Sequence, residues 1–155
     1  MFTRVDHIGI ACRDLDRTVE HYRSVFGFEV CHVEVNEGQG VREAMLRVNG
    51  TDDGGATYLQ LLEPISPDST VARWIERHGE GVHHIAFGSP DVHAVVEDLR
   101  GHGPRVLFDP PRRASMGSTA TFLHPKDCHG VLTEVVTSAG EDRSSGVRAD
   151  DLPTA

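Results

Sequence analysis

No stretch of the 155 residues comes near the roughly 18 consecutive apolar positions that a membrane-spanning helix requires. The opening Met1-Phe2-Thr3-Arg4-Val5-Asp6 lacks the apolar run of a secretory signal, so none is expected. Cysteine is scarce. Cys12, Cys31 and Cys128 are odd in number, widely spaced and without a CxxC pair. That argues against a disulfide framework or a thiolate zinc knot and predicts reduced thiols in the cytoplasm. Positive charge is in deficit, 15 Lys and Arg against 24 Asp and Glu for a formal net charge of −9, which makes a general nucleic-acid binder a poor fit. A local basic pocket for a small anion is still compatible with it. What is present, 38% apolar and 25% charged residues, is the composition of one ordinary globular domain.

The organisation lies in a repeat. Val5-Asp6-His7-Ile8-Gly9-Ile10-Ala11 precedes Asp14-Leu15 and Val19-Glu20; Val82-His83-His84-Ile85-Ala86-Phe87-Gly88 precedes Asp91-Val92 and Val96-Glu97. The offset, from 7 to 84, is 77 residues throughout. Each half predicts a strand (4–11; 82–88), then a helix N-capped by Asp14 or Asp91, with apolar residues at helical spacing. Strand-like runs at 28–35, 41–48 and 56–62 close the first half, and runs at 105–108, 119–123 and 131–136 close the second. Residues 49–55 read as a loop, Val71 to Ile75 as a short linking helix, and 138–155 as a disordered tail. The expected fold is α+β, with two tandem βαβββ modules forming a shared cup-shaped sheet and the helices outside. The domain would span 1–137, with module one at about 4–64, a linker at 65–80 and module two at 81–137.

Strand alternation says what lines the cup. His7, Gly9 and Ala11 share one face, and His84, Ala86 and Gly88 share the equivalent one, so each histidine has small neighbours that leave room beside its ring. Gln60 falls on the face opposite Leu59 and Leu61, and Glu134 stands among apolar neighbours. Such groups are costly to bury unless paired. Two imidazoles, an amide and a carboxylate in pseudo-twofold positions suit a six-coordinate divalent ion with two sites left for water or substrate. His7, Gln60, His84 and Glu134 are therefore the candidate ligands. The remaining histidines (His21, His32, His78, His83, His93, His102, His124, His129) are assigned to no metal. Glu43 shares a face with Val41 and Met45 and breaks the pseudo-symmetry as a catalytic group would; a solvated edge glutamate paired with Arg42 or Arg47 is the competing reading.

Paired modules with ligands on their first and last strands resemble the vicinal oxygen chelate superfamily. Asp6 to Ala11, Leu59 to Pro64, Gly79 to Phe87, Phe122 to Lys126 and Gly130 to Glu134 are most similar to its methylmalonyl-CoA epimerase family, over about residues 4–137. Asp127-Cys128-His129 and Arg113-Ala114-Ser115-Met116-Gly117 depart from that pattern, at what should be the substrate mouth. The resemblance implies a metal-dependent isomerase that interconverts the C2 epimers of methylmalonyl-CoA, and by the same chemistry of ethylmalonyl-CoA, through an enolate. Glu43 and Glu134 would be the proton carriers. The ion would be Co²⁺, with Mn²⁺, Ni²⁺, Mg²⁺ or Zn²⁺ also compatible with the ligand set. It further implies an acyl-CoA thioester as partner, a homodimer in the cytoplasm, and no partnership with nucleic acid or membrane. Lys126, Arg112 and Arg113 are the basic candidates for the CoA phosphates, against the alternative of ordinary surface charges. A glyoxalase-type lactoylglutathione lyase on this scaffold would more usually carry glutamate at position 60. A drug-binding protein of the same fold would have no use for the four ligands.

Overall fold

A computed structural model of the chain describes residues 1–48 and 56–140. The loop expected at 49–55 and most of the expected tail, 141–155, lie outside the described residues. The elements run β1 (Arg4–Ala11), α1 (Leu15–Phe26), β2 (Glu29–Asn36), β3 (Val41–Arg47), β4 (Tyr58–Pro64), α2 (Thr70–His78), β5 (Gly81–Gly88), α3 (Val92–Leu99), β6 (Arg112–Arg113), β7 (Thr119–Leu123) and β8 (Thr133–Thr137). Short 3₁₀ turns cover Ser115–Gly117 and Pro125–Asp127. No described helix is long and apolar enough to cross a membrane.

All eight strands form one sheet in the order β2-β3-β4-β1-β5-β8-β7-β6. β1 runs parallel to β4, as β5 does to β8, and the modules join where β1 and β5 pair antiparallel. The cup is thus completed within one chain.

Alternation divides the faces as the sequence predicts. On the outer face α1 packs Leu15, Val19 and Tyr22 against Ile10, Ala44, Leu46, Leu59 and Leu61. The second module repeats this with Val92, Val95 and Leu99 of α3 against Leu123 and Val135. Asp14 and Asp91 cap these helices, their carboxylates accepting from Arg17 N at 2.9 Å and Ala94 N at 3.0 Å. α1 stops at Gly27, whose left-handed φ of 71° a side chain would disfavour. The linking helix α2 has a role of its own. Its Val71 and Ile75, with Trp74 packed beside them, cover Ala11, Val41 and Leu62, residues on the concave faces of their strands. α2 therefore plugs one end of the cup.

The strand expected at 105–108 does not form. Only Val106 makes a bridge, to Leu123, and the edge pairing falls instead to the two residues Arg112 and Arg113. Pro104, Pro110 and Pro111 flank the segment without donors for a ladder, which confines regular pairing to the short stretch after them. At the other end the expected tail begins later than 138, because Ser138 Oγ accepts from Arg4 Nη2 at 3.0 Å.

Candidate metal centre

The two histidines are placed by the central β1–β5 pair, where His7 faces Ala86 and His84 faces Gly9. Gly9 has a specific reason to be glycine: a Cβ there would lie 2.1 Å from His84 Cε1, so the ring occupies the space a side chain would need. The ladder slips at two points. Asp6 is an extra residue in β1 between Val5 and His7, and His83 an extra residue in β5 between Val82 and His84. Such bulges re-aim side chains. Here they bring each ligand candidate's preceding residue against its ring, with Asp6 Oδ1 2.9 Å from His7 Nδ1 and His83 Nδ1 3.0 Å from His84 Nδ1.

β8 supplies the third group. Glu134 pairs in register with Ala86, which sets its carboxylate between the rings. His7 Nε2 lies 3.0 Å and His84 Nε2 3.1 Å from Glu134 Oε2, and the two nitrogens are 3.2 Å apart. All three residues are buried. Adjacent ligands of an octahedral ion with bonds of about 2.1 Å are themselves about 3.0 Å apart, so this triangle has the size of one octahedral face. Two imidazoles and one carboxylate without a thiolate are a donor set for such an ion. The residues fit a divalent metal. In the metal-free site burial pulls the His7 pKa down, but the Glu134 and Asp6 carboxylates outweigh it and raise the value to about 9. Burial conversely pushes Glu134 up, and the two histidines bring it to about 2. These opposed shifts come from the donor atoms being crowded together.

Gln60 and Glu43 form a second group on the same concave face. Gln60 does not join the triangle through its nitrogen: Nε2 donates to Glu43 Oε2 at 2.7 Å. Its carbonyl remains the amide atom suited to an ion. Glu43 is fully buried, and its Oε1 has no hydrogen-bond partner among the described residues. The surface-glutamate alternative is excluded, since Arg42 pairs with Asp16 at 2.6 Å and Arg47 lies 3.7 Å from Glu29. Burial raises the Glu43 pKa to about 7, helped by the Glu34 carboxyl directly across the β2–β3 ladder. A buried carboxylic acid poised near neutrality, with one oxygen held and one free, is equipped to move a proton.

The cavity beside the triangle measures about 400 Å³ and is lined among others by His7, Met45, Tyr58, Ser115, Met116 and Glu134. The 3₁₀ turn with Ser115 and Met116 packs against β2 and closes this side. Sequence reasoning flagged that turn only as a departure from pattern. It missed Ser115, a buried hydroxyl that lines the cavity and works to lower the Glu43 pKa. It also missed Asp6, although Asp-His was visible as a dipeptide.

A second cavity of about 590 Å³ is lined by His83, Phe108, Arg112 and Phe122 among others. The Arg112 guanidinium stacks 4.2 Å from the Phe108 ring centroid, and Arg113 lines a smaller hollow beside it. Lys126 sits exposed on the turn after β7 and lines neither large cavity. Asp127 and Cys128, expected at the mouth, are engaged elsewhere. Asp127 pairs with Arg105 at 2.7 Å, and Cys128 packs against the core under α3.

The cup-shaped sheet with metal-type donors on its central strands is that of a known superfamily. A sequence model of the Glyoxalase/Bleomycin resistance protein/Dioxygenase superfamily matches residues 6–122, and the chain belongs to it. Its relatives are narrower in kind. A solved methylmalonyl-CoA epimerase in complex with methylmalonyl-CoA and NH4+ is 68% identical, with a TM-score of 0.87 over 92% of this chain and 99% of that one. An ethylmalonyl-CoA/methylmalonyl-CoA epimerase of Cereibacter sphaeroides is 31% identical over 137 residues, 87% of this chain and 98% of its own length. The mitochondrial methylmalonyl-CoA epimerase of Mus musculus is 32% identical over 133 residues, 85% of this chain and 71% of its own.

Proposed function

We propose that this chain is a metal-dependent epimerase that interconverts the C2 epimers of methylmalonyl-CoA. The observation that carries the proposal is a buried carboxyl with a free oxygen, Glu43, on the same concave face as the His7–His84–Glu134 triangle. His7, His84 and Glu134, with Gln60 through its carbonyl, are the residues that would hold the ion. When bound, a divalent cation supplies positive charge against the negative charge that develops on the thioester and carboxylate oxygens as C2 loses its proton.

Glu43 Oε1 takes that proton while Gln60 holds Oε2 fixed. Reprotonation from the opposite face gives the other epimer, and Glu134 is the group for it. Because the histidines against it hold its pKa low, Glu134 is the weaker base and rests ionised, so it must take up a proton from solvent before it can deliver one and is the poorer carrier of the two. The Ser115–Met116 turn walls the cavity and limits water at the reacting carbon. Arg112 and Arg113, with Lys126 as an outlying third cation, are read as contacts for the CoA phosphates. Co²⁺ is the proposed ion, an ethylmalonyl thioester a second substrate, and a cytoplasmic homodimer the working form.

Incubation of metal-loaded protein with methylmalonyl-CoA in deuterium oxide tests the reading. Deuterium should enter C2, as followed by mass spectrometry, and absence of incorporation overturns it.

A further inference from the structure

The two bulges in the β1–β5 ladder do the same thing on opposite sides of the centre. Each adds one residue ahead of a ligand histidine and turns that residue onto the ring's Nδ1. The partners are chemically unlike: Asp6 is a carboxylate, itself held by Arg4 at 2.9 Å, whereas His83 is an imidazole. Two imidazole nitrogens 3.0 Å apart share one proton between them. A His84 that offers Nε2 to an ion needs its lone pair there, so its proton must sit on Nδ1. Nδ1 of His83 must then be the acceptor. His83 is held for this by Trp74, whose ring stands edge-on with centroids 5.2 Å apart, and its own plane is nearly perpendicular to that of His84.

We propose that His83 is the positioning residue of His84. By accepting the Nδ1 proton it fixes the tautomer and ring angle that aim His84 Nε2 at the metal centre, the service Asp6 performs for His7. The inference rests on the metal reading of the site. It also makes the centre electronically lopsided, because a carboxylate partner raises the basicity of a ligand imidazole and a neutral one does so less.

Co²⁺ titration of the wild type, His83→Ala and His83→Asn, followed by calorimetry and by the visible absorption of the bound ion, tests it. Loss of such a partner typically weakens metal binding about 10–100-fold. His83→Ala should lose affinity by that order and shift the Co²⁺ bands. His83→Asn, whose side-chain carbonyl can accept the same proton, should recover most of both. In the ¹⁵N-labelled, Zn²⁺-loaded wild type, NMR should find His84 protonated on Nδ1, His83 protonated on Nε2, and a coupling between the two facing nitrogens. That measurement decides the matter if His83→Ala fails to fold. Equal Co²⁺ affinity in His83→Ala and wild type, or a proton on His83 Nδ1 in the Zn²⁺ form, overturns the proposal and leaves the metal reading standing. Failure of the wild type to bind Co²⁺ overturns both.

Discussion

Glu43 has one oxygen tied to Gln60 and the other free, and that asymmetry sets the most direct predictions. Glu43→Gln removes the proton carrier but no proposed ligand. Activity should fall about 10²–10⁴-fold, the usual worth of a general base, while metal content stays that of the wild type. Because burial and Glu34 lift the Glu43 pKa to about 7, the base is protonated below that pH. kcat/KM should drop about tenfold per unit on the acid side of neutrality. Glu34→Gln removes the opposing carboxyl, so a pH–rate profile should show that limb displaced to lower pH; an unmoved limb would mean Glu34 does not tune the base. Gly9→Ala forces the His84 ring out of the space it fills and should lower metal affinity by at least the order lost with an orienting partner, about 10–100-fold, in a chelator competition. At this scale much was legible. The concave positions of His7, Gln60, His84, Glu134 and Glu43 follow from alternation, whereas the seating of the His84 ring on Gly9 depends on how β1 and β5 pair. Asp6 and His83 were not legible, because a bulge puts neighbouring residues on one side and breaks the period of two by which faces are read.

The helices were the most legible elements, since an aspartate cap and an apolar stripe at helical spacing act locally. Asp14→Ala and Asp91→Ala should each cost about 1 kcal/mol of stability, read by urea unfolding, with no loss of activity per folded molecule. Strands of the first module and β7 fell within a residue or two of expectation. The run at 105–108 had strand composition and pairs beside Leu123 at Val106 alone, because the prolines at 104, 110 and 111 that bound it cannot donate to a longer ladder. α2 was legible as a helix and not as a plug, since nothing in its own sequence names Ala11, Val41 and Leu62 as the surface it covers.

At the scale of the molecule, the centre stitches the two modules together through His7 of one and His84 and Glu134 of the other. An ion held there binds the folded chain only, and at a free concentration 100 times its Kd it adds about 2.7 kcal/mol. Metal removal should lower the unfolding midpoint accordingly in a denaturant titration. The effect should depend on pH with a definite sign. In the metal-free protein the His7 pKa stands near 9 against an ordinary 6.5, so its contribution is complete below 6.5 and disappears as pH rises towards 9. A His7 bound to metal carries no such proton. The stability gap between loaded and metal-free protein should therefore widen from pH 6.5 to 9.

The sequence by itself determined the repeated module, the buried faces, the four ligand candidates and the lone glutamate, because each follows from periodicity and from the cost of burying a polar group. Only the tertiary structure decided that three donors meet at the spacing of an octahedral face, that Gln60 turns its nitrogen to Glu43, and that Asp6 and His83 stand behind the two histidines. Those are distances between side chains far apart in the chain, fixed by ladder register and bulges rather than by any local preference.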